Sequence, residues 1–289
     1  MIRSVAVIGL GLLGGSICKK IKQLSPETII SAYGRNQDVL GTAKDDGVID
    51  YYGTVSDMNM EDVELVIVAT PVTTSIDIIR NVLNGIKNES DMLVIDVGSV
   101  KKGICDAVAD HPRASRFIGC HPMAGSEKSG YYYSDGSILK DASVIITPVS
   151  TNRTEDINKI EQFWKWLGGR ILTVDPETHD KMVAMTSHLP HMLSSSLMEF
   201  LGDNDEDKKA SYMPFSGNGL RDMTRLAGGS PDLWSEIVSL NRENILEILE
   251  QYMEFLAELK DILRQDPTGK ETWDHFQKAR EYRAIMEDR

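Results

Sequence analysis

The sequence predicts an α/β domain over residues 1–150 followed by an all-α domain over residues 151–289. Three observations predict it. Short runs rich in Val and Ile alternate with helix-like segments up to about residue 150; a glycine-rich turn follows the first run; and no clear strand pattern remains beyond residue 176.

The strand-like runs are 4–8, 28–32, 65–69, 92–96, 117–119 and 143–147, with helical segments at 12–23, 37–45, 73–86 and 100–109 between them. This alternation implies a mostly parallel sheet covered on both faces by helices. The runs are continuously apolar rather than alternating, as suits strands buried on both sides. Residues 152–167 place Ile157, Ile160, Trp164 and Leu167 at helical spacing; Gly168 and Gly169 end that helix, and 170–174 reads as one more strand. Residues 176–201 form a long helical pattern interrupted at Pro190. A polar acidic loop follows at 202–209; it does not fit a calcium loop, because Lys208 stands where glycine is needed. Residues 231–263 carry Ile237, Leu240, Ile245, Ile248, Leu249, Tyr252, Leu256 and Leu259 on one broad stripe. That stripe is too apolar for a lone surface helix and is expected to bury against another subunit.

Composition narrows the function classes. The chain has 289 residues, 41% hydrophobic and 26% charged, the balance of a folded protein rather than a disordered one. No run approaches the roughly 18 apolar residues that span a bilayer. A net charge of −13 argues against nucleic acid as a main partner, but a pocket can still be locally positive for a small anion. Cys18, Cys105 and Cys120 have no C-x-x-C spacing, which leaves neither a disulfide framework nor a zinc module and suits a reducing cytoplasm. The apolar N-terminus is read as strand, turn and helix rather than as a signal peptide, because it holds four glycines and no small-residue cleavage site.

The turn after the first strand reads Gly9-Leu10-Gly11-Leu12-Leu13-Gly14. In G-x-G-x-x-G the first glycine permits the tight turn, the second admits a pyrophosphate against the backbone, and the third packs helix on strand. The helix start, with Leu12 and Leu13, supplies free N–H groups for the phosphates. A Val/Ile strand before the motif and a helix after it form the context expected of a Rossmann-type dinucleotide site. The second strand leads into Gly34-Arg35-Asn36, where an NAD site usually has an acidic residue. Losing that carboxylate and gaining an arginine favours NADP, with its 2′-phosphate, over NAD. Asn36 bonding a plain ribose is the competing reading. Thr70-Pro71 and the segment Asp96-Val97-Gly98-Ser99 follow later strands, where loops reach the nicotinamide half.

His121, in His121-Pro122-Met123-Ala124-Gly125-Ser126-Glu127, is expected at the carboxyl end of a strand, where ligands bind such sheets. A histidine there can take a proton from a hydroxyl as hydride leaves. His188 and His191 flank Leu189-Pro190 and are expected to share a helix face; no third ligand accompanies them, so no metal is expected. Arg221 and Arg225, after a glycine-rich lead-in, can clamp a carboxylate, although one of them is expected in a salt-bridged turn.

These motifs together resemble the prephenate/arogenate dehydrogenase family of tyrosine biosynthesis. They are G-L-G-L-L-G-G-S, D-V-G-S-V-K, H-P-M-A-G-S-E, S-H-L-P-H and G-L-R-D-M-T-R, in that order, with the likeness running from about residue 2 to about residue 260. The resemblance implies oxidative decarboxylation of prephenate to 4-hydroxyphenylpyruvate. It implies His121 as the base helped by Ser99, and Arg225 on the ring carboxylate. It places His191 at the pyruvyl side chain, Trp234, Asp222 and His188 around the pocket, and Ser126 and Glu127 at its entrance. It further implies a homodimer through the helical domain. With the chain ending at Arg289, no room is expected for a fused chorismate mutase or C-terminal regulatory domain, so any tyrosine inhibition would act at the active site. Competing readings are an arogenate dehydrogenase, a 3-hydroxyacid or imine dehydrogenase using a lysine such as Lys181, and a non-catalytic dinucleotide sensor. The last would not need His121, Ser99 and Arg225 together.

Overall fold

The computed structural model describes residues 2–87, 89–125, 128–204 and 212–287. The α/β part runs in order β1 (Ser4–Ile8), α1 (Leu12–Leu24), β2 (Ile29–Tyr33), α2 (Gln37–Asp45), β3 (Tyr51–Gly53), β4 (Leu65–Val68), α3 (Val72–Gly85), β5 (Leu93–Asp96), α4 (Lys102–Ala109), β6 (Phe117–Pro122), β7 (Ser143–Thr147), α5 (Thr154–Trp166) and β8 (Arg170–Thr173). The eight strands form one sheet in the order β3-β2-β1-β4-β5-β6-β7-β8. Every pairing is parallel except β6 with β7. The chain winds outward from β1 in one direction to β3 and in the other from β4 onward. The gap between the carboxyl ends of β1 and β4 is therefore the switch point at which ligands bind such sheets.

Both faces of the sheet are buried, and side chains alternate between them. Val5, Val7, Leu65, Ile67 and Ile95 join the core cluster that includes Ile17, Ile21 and Trp164. Ala6, Ile8, Val66, Val68 and Val94 join the opposite cluster with Ile79, Leu83 and Ile104.

The sheet continues past the expected boundary at residue 150. Strand β8 pairs in parallel with β7, and Ile160, Phe163, Trp164 and Leu167 of the α5 segment lie in the core, so this layer reaches Thr173. Strand β6 also runs three residues beyond the expected 119. Pairing with β7 carries it to Pro122, with His121 opposite Ile145, so His121 is the penultimate strand residue. Strand β3 is not legible from hydrophobicity, because it is a three-residue edge strand with Tyr51 and Tyr52 exposed.

The rest is helical: α6 (Pro176–Val183), a π-helical turn (Ala184–His188), α7 (Leu189–Asp203), α8 (Asn218–Thr224), α9 (Pro231–Leu240), α10 (Arg242–Gln265) and α11 (Lys270–Glu287). The expected break at Pro190 is realised one turn earlier as the π turn. Proline has no N–H to give the i−4 carbonyl, and the wider turn absorbs the mismatch. The long helix expected over 231–263 is two helices, because Asn241 leaves helical geometry (φ −113°, ψ 26°) and turns its side chain inward. None of the described helices is long and apolar enough to cross a membrane. The acidic loop at 202–209 lies mostly outside the described residues.

Residues 1–242 form one compact unit and 243–289 a second. In the second, Asp266 closes the turn between α10 and α11, accepting the N–H groups of Lys270 (3.1 Å) and Thr272 (2.9 Å). Those bonds hold its carboxyl down at about 2. Met253, Leu263, Trp273, Phe276 and Ile285 of these helices are exposed.

Candidate active site

The turn after β1 is shaped to receive a dinucleotide. Gly9 sits at φ +97°, a left-handed conformation that side chains rarely adopt, and a Cβ there would lie 2.5 Å from the Ala69 carbonyl oxygen. A Cβ on Gly14 would lie 2.1 Å from the Gly9 carbonyl oxygen, so α1 can start this close to β1 only with glycine. Around Gly11 there is open space, with no atom within 4 Å of a built Cβ. Gly11 is the N-cap of α1 and provides no side-chain cap, and the first turn, with Leu12 and Leu13, has no acidic residue. Free helix N–H groups facing an open glycine cradle fit a pyrophosphate.

At the end of β2, Gly34 N–H is bonded to the Gly53 carbonyl (3.1 Å). Arg35 is exposed and makes no hydrogen bond or ion pair among the described residues. Asn36 caps α2, its Oδ1 accepting the Val39 N–H at 3.2 Å. Thr70 and Pro71 abut the glycine turn: the Thr70 methyl is 3.0 Å from where a Gly9 Cβ would sit. Ser75 Oγ holds this turn through Thr70 Oγ1 (2.9 Å) and the Pro71 carbonyl (3.0 Å).

Val97 is buried at the end of β5, and Ser99 is half-buried in the turn that follows. Ser99 makes no hydrogen bond among the described residues, to His121 or otherwise. What braces this turn is a fully buried ion pair. Lys101 Nζ bonds Asp96 Oδ2 and the Cys120 carbonyl (2.9 Å), and Asp96 also accepts the Gly98 N–H (2.8 Å). The β5–α4 turn and β6 are thereby tied together beneath His121.

His121 is buried, and its Nδ1 lies 2.9 Å from His179 Nε2; His179 Nδ1 lies 2.7 Å from Asp180 Oδ1. Asp180 also accepts the backbone N–H groups of Lys101 (2.8 Å) and Lys102 (3.0 Å), where α4 begins without a side-chain cap of its own. A carboxylate only accepts, so His179 carries a proton on Nδ1, and as a neutral imidazole it accepts at Nε2. His121 then donates from Nδ1, and its Nε2 lone pair has no partner among the described residues. Burial is the main cause holding the His121 pKa well below its ordinary value, followed by the nearby His179, Lys101 and His188.

His188 is 1% exposed and spends Nδ1 on Asn241 Nδ2 (3.1 Å), which also donates to the Asp180 carbonyl (2.8 Å). Burial lowers its pKa to about 4. His191 and His188 do share a face, both against Trp234. The His191 ring stacks on Trp234 at 3.6 Å between centroids, and His188 meets it edge-on at 6.0 Å. Gly229 makes room for the indole, since a Cβ there would lie 2.6 Å from Trp234 Nε1. The His191 Nδ1–H donates to the Ser187 carbonyl (3.0 Å). Burial lowers the His191 pKa, and the nearby Arg225 adds to that.

Arg225 is exposed in the turn after α8, which the Ala227 N–H pins to Ser194 of α7 (3.0 Å). Neither Arg221 nor Arg225 has an ion pair among the described residues. Asp222 is exposed on α8 and makes no hydrogen bond among the described residues. Ser126 and Glu127 lie outside the described residues. Among the described residues no cluster of three His, Cys, Asp or Glu side chains is placed to hold a metal.

His179 and Asp180 were missed in the sequence. The available signal was a His-Asp pair on the helical stretch that also carries His188 and His191.

Residues 17–173 match the family described as prephenate dehydrogenase, nucleotide-binding domain, and residues 175–279 match prephenate dehydrogenase, dimerization domain. The chain belongs to the prephenate dehydrogenase family. It is 28% identical to a cyclohexadienyl dehydrogenase of Zymomonas mobilis, over 98% of this chain and 96% of that one. It is 29% identical to a prephenate dehydrogenase of Bacillus subtilis, over 97% and 75%. The crystal structure of a prephenate dehydrogenase from A. aeolicus with hydroxyphenyl propionate and NAD+ superposes with a TM-score of 0.88, at 28% identity over 99% of each chain. The protein is thus an oxidoreductase with a nucleotide-binding domain and a dimerisation domain.

The buried histidines predict a pH dependence of stability. His121 and His188 have folded pKa values below 6.5, so the unfolded chain binds more protons as pH falls. Their contribution is complete above about pH 6.5 and is lost on acidification, for His188 between about 6.5 and about 4. The urea midpoint should fall between pH 7.5 and pH 5, a window above the range where the lowered carboxyls titrate. A flat midpoint would mean that these histidines are not buried neutral.

Proposed function

We propose that this enzyme oxidatively decarboxylates prephenate to 4-hydroxyphenylpyruvate with NADP as the preferred cofactor. The observation that carries the proposal is the His121–His179–Asp180 chain, which leaves an unprotonated Nε2 at the carboxyl end of β6.

The glycine turn, Thr70, Pro71 and Val97 would hold the dinucleotide. Bound there, it would supply the hydride acceptor for the ring carbon that bears the hydroxyl. His121 Nε2 accepts the hydroxyl proton in the same step, and the carbon–oxygen bond becomes a carbonyl. The bond to the ring carboxylate then breaks, carbon dioxide leaves, and the bond's electron pair makes the ring aromatic and its oxygen a phenolate. His121 returns its proton to that oxygen, so the base ends neutral and no net proton is released. While His121 is charged, its Nδ1–H strengthens its bond to His179, and Asp180 offsets the charge. Ser99 lines the same edge.

Prephenate carries two carboxylates. Arg225, without an ion pair among the described residues, suits the ring carboxylate, and His191, oriented by Ser187 and Trp234, suits the pyruvyl chain. Ser126 and Glu127 keep their proposed place at the entrance, and Asp222 its place at the pocket edge. His188, buried and bonded to Asn241, supports His191 from behind. The exposed apolar side chains of α10 and α11 support a homodimer formed through these helices. The NADP preference rests on Gly34, which removes a carboxylate, and on Arg35, whose guanidinium is exposed and has no ion pair among the described residues.

The test is an absorbance assay at 340 nm with prephenate and arogenate, each with NAD and with NADP. Reduction should be fastest with prephenate and NADP. His121→Asn should lower kcat by about 10²–10⁴-fold while cofactor affinity is kept. Normal turnover in that variant would remove His121 as the base. Arg35→Ser should weaken NADP by about tenfold or more, the loss of one charge-assisted contact, and leave NAD nearly unchanged. Equal effects on both cofactors would mean that Arg35 does not meet a 2′-phosphate.

A further inference from the structure

Helix α3 begins at the turn expected to meet the dinucleotide, yet it lacks a cap of its own. Its N-cap is Pro71, which gives no side-chain hydrogen bond, and its first turn has no acidic residue. The cap comes instead from Glu236 on α9, more than 160 positions away in the chain. Glu236 Oε1 accepts the Thr73 N–H (2.8 Å) and the Thr73 hydroxyl, and Oε2 accepts the Val72 N–H (3.3 Å). Both carboxylate oxygens are thus spent on the first turn of α3, where a negative charge is also favoured by the helix dipole.

The two ends of this contact belong to different halves of the site. Pro71 and Thr70 lie directly before the capped turn, and Thr70 touches the glycine turn of β1. Trp234, two residues before Glu236 on the same helix, stacks on His191. The other end of α9 is fixed through Asn241 to the Asp180 carbonyl and to His188. Helix α9 therefore joins the cofactor turn, through Glu236 near its middle, to the support of the histidine chain, through Asn241 at its C-terminus.

We propose that Glu236 is a positioning residue that couples cofactor occupancy to the substrate pocket. A dinucleotide settling against Thr70 and Pro71 fixes the start of α3; Glu236 transmits that placement to α9; and Trp234 is thereby set against His191. This inference rests on the site assignment proposed above.

The test is calorimetric binding of 4-hydroxyphenylpyruvate, with and without saturating NADP, to the full-length enzyme. Coupling through a helix attachment is expected to tighten product binding by about fivefold or more when cofactor is present. In Glu236→Ala that ratio should fall to within about twofold of unity, and Glu236→Gln, which keeps one acceptor oxygen, should lie between. Thr73→Val, which removes only the hydroxyl partner, should lower the ratio in wild type and have no effect in Glu236→Ala. Ser230→Ala removes the cap of α9 itself, whose Oγ accepts the Leu233 N–H, and should lower the melting temperature without changing the ratio. A Glu236→Ala ratio equal to that of wild type, or a wild-type ratio of one, would overturn the coupling role while leaving the site assignment standing. Failure of wild type to bind either molecule would overturn both.

Discussion

The site is organised around one buried carboxylate. Asp180 is 2% exposed and accepts the two N–H groups at the start of α4 and the imidazole of His179. Its own carbonyl receives Asn241. Burying an ionised carboxylate is costly unless donors surround it. Here the donors come from the β5–α4 junction and from α6, so satisfying the charge fixes the relative placement of the segments that carry Ser99, His121 and His188. The Asp96–Lys101 pair does the same one layer deeper, tying the end of β5 and the start of α4 to β6 through the Cys120 carbonyl and N–H. Removing either partner of such a pair would leave an uncompensated buried charge, typically a loss of about 3–5 kcal/mol.

This buried scaffold contrasts with the groups proposed to meet the ligands. Arg35 and Arg225 are exposed and unpaired among the described residues, on a chain whose net charge is −13. Guanidinium groups without internal carboxylates lose little when a phosphate or carboxylate displaces their water. In the proposed reaction the buried histidines move the proton and the exposed arginines hold the anionic groups.

Much of this was legible in the sequence. Strands β1 and β7 and helix α2 have the expected limits, because their hydrophobic runs are bounded by residues that end them. The glycine turn was legible for a steric reason, since each glycine answers a specific clash. The split at Asn241, helix α11 and the histidine chain were not. Helix α11 has polar residues on every side and leaves no periodic stripe. His179 and His188 are nine residues apart, half a turn out of phase on a regular helix of 3.6 residues per turn. Only the π turn between them alters that phase, and nothing in hydrophobic periodicity announces it. His121, His188 and His191 were readable one by one, while His179 and the chain it completes from Asp180 to His121 required the fold.

Burial holds His121 neutral, and the His179–Asp180 chain sets its proton on Nδ1 and its lone pair on Nε2. Nitrogen-15 NMR of the histidine-labelled enzyme at neutral pH measures this tautomer. An Nδ1-protonated His121 with a bare Nε2 is expected, shifting toward the other tautomer in His179→Leu. A His121 protonated on Nε2 in the wild-type enzyme, or one unchanged by His179→Leu, would contradict it.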